Sequence, residues 1–336
     1  MDDALIRFNY DRPFGVEIEV NSSDRRDFLA NPLRKAEKEM PLGINVVAEI
    51  VKKTLGVEAK IDGWDYTHDN DFWLVKPDVS CGMELCSPIS RTWMGLREIC
   101  RVIESIGKNE RIPIDDRCSL HLHVGVGDCT EEQVASILSW WLVCEAVFFD
   151  SIPDNRKINR FCRCVGMTEL FDTETVPEPR IIILKFGKEE YQSVNTFHYV
   201  EKNRKTIEFR IIEKEGCQNP YLTKNWIRLI IHFVEQAIKF PWSEKFRWLN
   251  PKEVMQFLGF MGQLSPGMEE TRNWFLARLN KNIRSSLPGI WSVEGRKVAI
   301  KEIQEINEFL KLDDKFLGKC LWPKGKRFLY SVACRE

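Results

Sequence analysis

The residues with chemistry to offer lie in short alternating stretches. In Cys118-Ser119-Leu120-His121-Leu122-His123-Val124-Gly125-Val126-Gly127 the leucines and valines fall on one side of a strand. His121, His123, Gly125 and Gly127 fall on the other. The apolar side calls for a core. The opposite side presents two imidazoles, then two glycines that leave room for something to lie close to the backbone. The chain holds 5 histidines in all, so two of them at i, i+2 on one face invite a functional reading.

Other stretches repeat the arrangement. Phe14-Gly15-Val16-Glu17-Ile18-Glu19-Val20 turns Glu17 and Glu19 the same way, opposite Val16, Ile18 and Val20. Thr206-Ile207-Glu208-Phe209-Arg210-Ile211 sets Glu208 and Arg210 opposite its three apolar residues, and Gly82-Met83-Glu84-Leu85 adds one more carboxylate. An ordinary half-exposed sheet mixes Lys, Thr, Ser and both signs of charge on its wet face. Here Glu17, Glu19, Glu84, Glu208, His121 and His123 collect on it, with Arg210 among them. Like charges so close repel unless a cation neutralises them. The pattern predicts a carboxylate-rich sheet face built for a divalent metal. Neutralising Glu17 or Glu208 in the metal-free protein is then expected to hold or raise its stability.

The elements that position these strands can be read in part. Ile44 to Leu55 reads as a helix ended by Gly56, and Arg91 to Ile106 as another, with Trp93, Leu96, Ile99, Cys100 and Ile103 inward. Thr130 and Gln133 form a capping box before a helix with Val134, Ile137, Leu138, Trp141, Leu142 and Phe148 on its stripe. Glu145 lies on that stripe and reads as a snorkelling surface glutamate. Val57 to Ile61 and Asp71 to Lys76 read as strands around a turn at Asp62-Gly63, and Ile181 to Leu184 and Ser193 to Val200 as two more. The last of these pairs with the Glu208 strand through a turn at Lys202-Asn203-Arg204. A long amphipathic helix runs from Leu222 to about Phe240, with His232 among apolar neighbours as a structural histidine. Beyond about residue 245 the strand patterns vanish. Pro251 to Phe260, Met268 to Leu279 and Val298 to Leu312 read as helices, and Lys319, Lys324, Lys326 and Arg327 follow beside Trp322 and Phe328. The expected division is a catalytic domain over 1–245 and a helical cap or accessory region over 246–336.

Length and composition set the bounds. At 336 residues the chain can hold one large or two medium domains. A net charge of -1 gives no general electrostatic signal for nucleic acid. The 11 cysteines are scattered and odd in number, and Cys162-Arg163-Cys164 lacks the two-residue spacing of zinc knuckles, which favours a reduced, intracellular protein. Met1-Asp2-Asp3-Ala4 lacks the regions of a signal peptide, and no apolar run reaches the roughly 20 residues of a membrane span. The expectation is a cytoplasmic protein without a membrane partner.

The order of motifs resembles the amidoligase family, carboxylate–amine ligases related to glutamine synthetase and glutamate–cysteine ligase. The resemblance rests on Phe14 to Glu19, on Trp73 followed by Asp78-Val79-Ser80, on Gly82 to Pro88, and on Ser119 to Val124. It continues through Arg156 with Asn159-Arg160-Phe161-Cys162, Val194-Asn195, and Thr206 to Arg210, spanning roughly residues 14 to 235. Val79 stands where the family has glycine, and Ile211 to Gln218 lacks its glycine-threonine run.

The resemblance implies an α+β fold, a curved and mostly antiparallel glutamine-synthetase-like sheet with flanking helices, plus the C-terminal helical region. It implies ATP and two or more Mg²⁺ ions, or Mn²⁺, on that sheet. By likeness Glu19 and Glu84 would hold one metal, and Glu17, His121 and Glu208 the one at the γ-phosphate. His123 and Asn195 would approach the nucleotide, Arg210 would steady the transferring phosphoryl group beside Glu208, and Arg156 and Arg160 could grip phosphate or substrate. The reaction implied activates a carboxylate as an acyl phosphate and joins it to an amine. Hard oxygen ligands suit Mg²⁺ and arginine suits phosphate oxygens. There is no Gly-x-x-x-x-Gly-Lys-Ser/Thr loop, so the sheet would have to supply the ATP site. A small molecule, a peptide or a modified nucleotide would each serve as the carboxylate or amine substrate. Two rivals stay open. One is a catalytically inactive ligase-like binding module. The other is a zinc hydrolase using the His-x-His strand, with His68, His198 or His232 as third ligand.

Overall fold

The alternation does build a sheet, and its apolar side builds the core. The computed structural model describes residues 11–21, 43–62, 71–78, 80–165, 177–202, 204–243, 246, 249–261, 264 and 268–282, with four residues between 301 and 308. His68, Gly63, Val79 and the basic cluster from Lys319 to Arg327 lie outside them, as does most of the helix expected over Val298 to Leu312.

Seven strands form one sheet: β1 (Phe14–Asn21), β2 (Lys60–Ile61), β3 (Leu74–Asp78), β4 (Gly82–Cys86), β5 (Leu120–Gly125), β6 (Val194–Asn195) and β7 (Thr206–Ile212). Their order is β2-β3-β4-β1-β5-β7-β6, antiparallel except for β2 with β3. The helices are α1 (Ile44–Leu55), α2 (Trp93–Gly107), α3 (Glu131–Asp150), the short α4 (Asp154–Lys157), α5 (Pro179–Gly187), the short α6 (Phe197–Val200), α7 (Pro220–Lys239), α8 (Pro251–Phe257) and α9 (Met268–Asn282). The protein is thus a mixed α/β structure on a mostly antiparallel sheet. Central β1 carries the alternation at full strength, with Val16, Ile18 and Val20 buried on one side.

Aromatic residues tie that side to the helices. Trp141 of α3 stands edge-on to Phe209 of β7 at 5.1 Å and to Phe233 of α7 at 5.6 Å. It also stacks on Phe148, and its indole N–H donates to Ser193 Oγ at 3.0 Å. Such pairs add roughly 0.5–1.5 kcal/mol beyond their buried area. Helix α3 has the length and composition of a membrane span, but most of it is buried inside the fold, where its apolar residues find partners. Helices α8 and α9 join the same core: Phe275 of α9 lies 5.6 Å from Phe148 and 6.4 Å from Phe260.

Local signals held where one interaction decides them. Gly56 takes the left-handed conformation, φ 75°, and its N–H caps α1 at the Lys52 carbonyl. Both hydrogen bonds of the Thr130–Gln133 capping box are present.

Four expectations need correcting. Ile181 to Leu184 is helical, because Pro179 opens α5 at its first turn and an apolar run of that length has no period to tell helix from strand. Of Ser193 to Val200 only Val194–Asn195 is strand; Phe197–Val200 is a helical turn. Of Val57 to Ile61 only Lys60–Ile61 pairs, and it does so parallel to β3, so no hairpin joins them. The close approach allowed by Gly125 is made by the chain itself: a Cβ there would lie 2.6 Å from Pro13 Cγ.

Helices α8 and α9 share their core with the helices packed on the sheet. Phe275→Ala should therefore destabilise the whole chain by about 3–5 kcal/mol, measured by urea unfolding. A separate early transition with the main one unmoved would show instead an independent C-terminal unit.

Candidate active site

Register sets the functional residues in rows across the sheet. One row runs Lys76–Glu84–Glu19, a second Cys86–Glu17–His121, and a third Gly15–His123–Glu208–Asn195. Directly opposed residues in such a ladder have Cβ atoms about 4.5–5.5 Å apart, so the side chains meet. Between Leu122↔Phe209 and Leu120↔Ile212, β7 carries one residue more than β5. Ile211 and Ile212 are both buried at this bulge, and Arg210 pairs with Glu208, two residues before it.

The geometry around His121 dictates its protonation. The single proton of the Ser119 hydroxyl goes to Glu19 Oε2 at 2.6 Å. Ser119 Oγ can then only accept from His121 Nε2, 2.9 Å away, which puts a ring proton on Nε2 and turns Nδ1 toward the carboxylates. That Nδ1 lies 3.4 Å from Glu17 Oε2 and 3.4 Å from Glu208 Oε1. Nδ1 is within hydrogen-bonding reach of Glu17, and were it to carry a lone pair it would face two carboxylate oxygens. A metal ion between them would make that lone pair and both oxygens its ligands. Glu17, His121 and Glu208 form a trio whose ligand atoms lie within 4.8 Å of one another. Two oxygens and one nitrogen at that spacing suit Mg²⁺ or Mn²⁺.

Glu208 is held from three sides. Arg210 donates to Oε1 at 2.7 Å, Asn195 Nδ2 donates to Oε2 at 3.1 Å, and His198 Nε2 stands 3.6 Å from Oε2. Burial would raise this carboxyl, but Arg210, His123 and His121 hold it down, to about 2. Glu17 is also lowered: burial opposes ionisation, and His123 and Lys76 overcome it. The His123 imidazole is pulled down by burial and up by Glu17 and Glu208, and the carboxylates win. His198 goes the other way, lowered by burial and by His123, whose ring it meets edge-on at 5.0 Å.

The structure brings Glu17, Glu19, Glu84, His121, His123, Asn195, Glu208 and Arg210 together. Glu19 and Glu84 face each other in register but fall in different candidate trios, Glu19 with Asp78 and Cys81, Glu84 with Glu17 and Cys86. Asn195 is fully buried, its amide donating to the Glu190 carbonyl and to Glu208. Arg156 is buried behind the face, donating to the backbone carbonyl of Arg210. Arg160 is exposed, with its guanidinium 4.6 Å from the Phe161 ring, and it does not join the cluster. His232 lies elsewhere in the core, bonded to the Leu258 carbonyl.

Sequence reasoning missed two contributors, Lys76 and Glu145, and offered a third, His198, only as a candidate zinc ligand. Lys76 forms an ion pair with Glu84, and its only signal was a lysine between Val75 and Pro77 in an apolar strand. His198 sits in a segment read as strand. Glu145 is the clearest correction: it is buried, not snorkelling. Its carboxylate accepts from Val165 N at 2.9 Å, Ser193 Oγ at 2.5 Å and Cys164 Sγ at 2.7 Å. Helix α3 has protein on its Glu145 side, so the carboxylate takes loop donors in place of water. It thereby ties the loop after Arg163 to the start of β6.

The metal-free stability expectation also reverses at Glu208. Its depressed pKa means the ionised form is stabilised by its neighbours, so removing the charge strands Arg210 in a buried position.

With this geometry stands a family assignment. The family described as "Putative amidoligase enzyme" matches residues 11–234, more than half of the chain. The chain belongs to this amidoligase family. No curated protein sequence matches. Among solved structures, a bifunctional glutathione synthetase from Pasteurella multocida is similar at a TM-score of 0.40 and 9% identity. The match covers 89% of this chain and 49% of that one, so the chain spans about half its length.

Ser119 sets the His121 tautomer, so Ser119→Ala should weaken Mn²⁺ binding by about 10–100-fold, read by calorimetric titration. Unchanged affinity would remove Ser119 from the site.

Proposed function

We propose that the protein is an ATP- and Mg²⁺-dependent carboxylate–amine ligase that activates a carboxylate as an acyl phosphate and joins it to an amine. Family membership supports a ligase. The observation that carries the finer reading is the cation seat between His121 Nδ1, Glu17 and Glu208, with Arg210 fixed beside it. In this reading the sheet is a glutamine-synthetase-like catalytic sheet, and helices α8 and α9 belong to the helical cap or accessory region expected from residue 246 on.

A carboxylate is a poor acyl donor because its leaving oxide is too basic. Mg·ATP, when bound, supplies the phosphoryl group that makes this oxygen a leaving group. The protein's part is positioning and charge. Glu17, His121 and Glu208 would hold the metal. Glu208 is oriented for this by Asn195 and Arg210, a supporting shell of the kind metal ligands need. Arg210 keeps its planar fork in one orientation, with NH1 on Glu208 and Nε on the Phe161 carbonyl at 3.2 Å. Its remaining donors would meet phosphoryl oxygens. Arg156 braces the Arg210 backbone, and Glu145 anchors the neighbouring loop. His123 borders the same space as a nucleotide contact. Small carboxylic acids, peptides and modified nucleotides are the substrate classes to try.

A zinc hydrolase remains a second reading on one specific observation. His123, His198 and Glu208 form a trio within 4.8 Å, a nitrogen-rich set that suits Zn²⁺. ADP release separates the two.

The test is a screen for ADP release over acids and amines with Mg²⁺ and ATP. Glu208→Gln should abolish turnover, and it should lower the thermal midpoint of the metal-free protein. Arg210→Lys keeps the charge but loses the fork, and should slow turnover by on the order of a hundredfold with nucleotide affinity much less changed. Amide formation without ATP consumption, or full turnover by Glu208→Gln, would sink the proposal.

A further inference from the structure

On the reading of Glu17, His121 and Glu208 as a metal seat, we infer that Lys76 is a built-in cation in the place of a second metal ion. The protein without nucleotide would then hold a single divalent ion.

Lys76 lies in register with Glu84, which lies in register with Glu19, so the ammonium enters at the edge of the carboxylate rows. Its Nζ pairs with Glu84 Oε1 and stands 3.9 Å from Glu17 Oε1. Those two carboxylates, with Cys86, are one of the trios spaced to hold an ion. Lys76 thus already contacts two of its three members. The side chains of Lys76, Glu84 and Glu17 are 6%, 9% and 14% exposed. A lysine so buried is rare unless its charge is matched, and here two carboxylates match it. The third member, a cysteine sulfur, is a poor ligand for a hard ion.

The remaining trio on this side, Glu19, Asp78 and Cys81, is turned to local use. Asp78 Oδ1 accepts from the backbone N–H groups of Ser80 at 2.7 Å and Cys81 at 2.9 Å, closing its own turn. Glu19 accepts from Ser119.

Charge points the same way. Four carboxylates meet on the face, Glu17, Glu19, Glu84 and Glu208, against two fixed cations, Lys76 and Arg210. The carboxylates outnumber these two cations, and a divalent ion would answer the excess. Any further ion would arrive with the phosphates of a nucleotide, which bring their own negative charge and oxygen ligands.

The experiment counts Mn²⁺ bound per full-length chain without nucleotide, from the electron paramagnetic resonance signal of free Mn²⁺. The wild type should bind one ion, and Glu208→Gln should lose it. Lys76→Gln removes the resident cation and should bind two, while Lys76→Arg should stay at one. Circular dichroism establishes that each variant is folded. If Lys76→Gln does not fold, Glu84→Gln decides: it takes away Lys76's closer partner and leaves the three ligands of the single ion in place, so one ion should still bind. Two ions in the wild type, or one in folded Lys76→Gln, would overturn the inference and leave the Glu17–His121–Glu208 seat standing; loss of the ion in Glu84→Gln would overturn both. No ion in the wild type would overturn both.

Discussion

Four carboxylates on one face of a sheet repel one another, and the rest of the site follows from how that repulsion is met. Lys76 and Arg210 answer part of it from within the chain. Ser119 answers another part by giving its proton to Glu19, and this fixes the His121 tautomer. What is left is His121 Nδ1, set 3.4 Å from both Glu17 and Glu208. A metal ion there turns three mutually repulsive groups into ligands. The buried surroundings sharpen both the cost of leaving the charges unmet and the strength with which a cation is held.

The opposite face of the sheet supplies the rigidity this requires. Val16, Ile18, Leu122 and Phe209 are buried beneath the functional rows. Trp141, Phe148 and Phe233 lock α3 and α7 against them. Glu145 links that helical layer to the site, bonding from α3 to the loop at Val165 and to Ser193, one residue before β6. Ser193 in turn accepts from the Arg210 backbone N–H at 2.8 Å. The packing face and the reacting face are thus connected by hydrogen bonds through the β6–β7 edge.

Much of the functional face was legible in the sequence because strand alternation is a short-range rule. Glu17, Glu19, His121, His123, Glu84 and Glu208 needed only the period of two to share a side. Their register across strands came from hydrophobic pairing, which the same pattern specifies. Lys76 was not legible as a partner, because its meaning lies in being opposite Glu84, a long-range fact. Glu145 was misread because local periodicity cannot say whether a helix face meets water or another loop. The bulge at Arg210 was invisible, since an extra residue shows only against β5. The helical turn at Phe197 and helix α5 were missed where apolar runs were too short to show a period.

The most direct measurement is anomalous diffraction from crystals soaked in Mn²⁺. A peak is expected within bonding distance, about 2.1 Å, of His121 Nδ1, Glu17 Oε2 and Glu208 Oε1 together, with Lys76 still paired to Glu84. No peak at saturating Mn²⁺, or one bound away from these three atoms, would contradict a metal seat on this face.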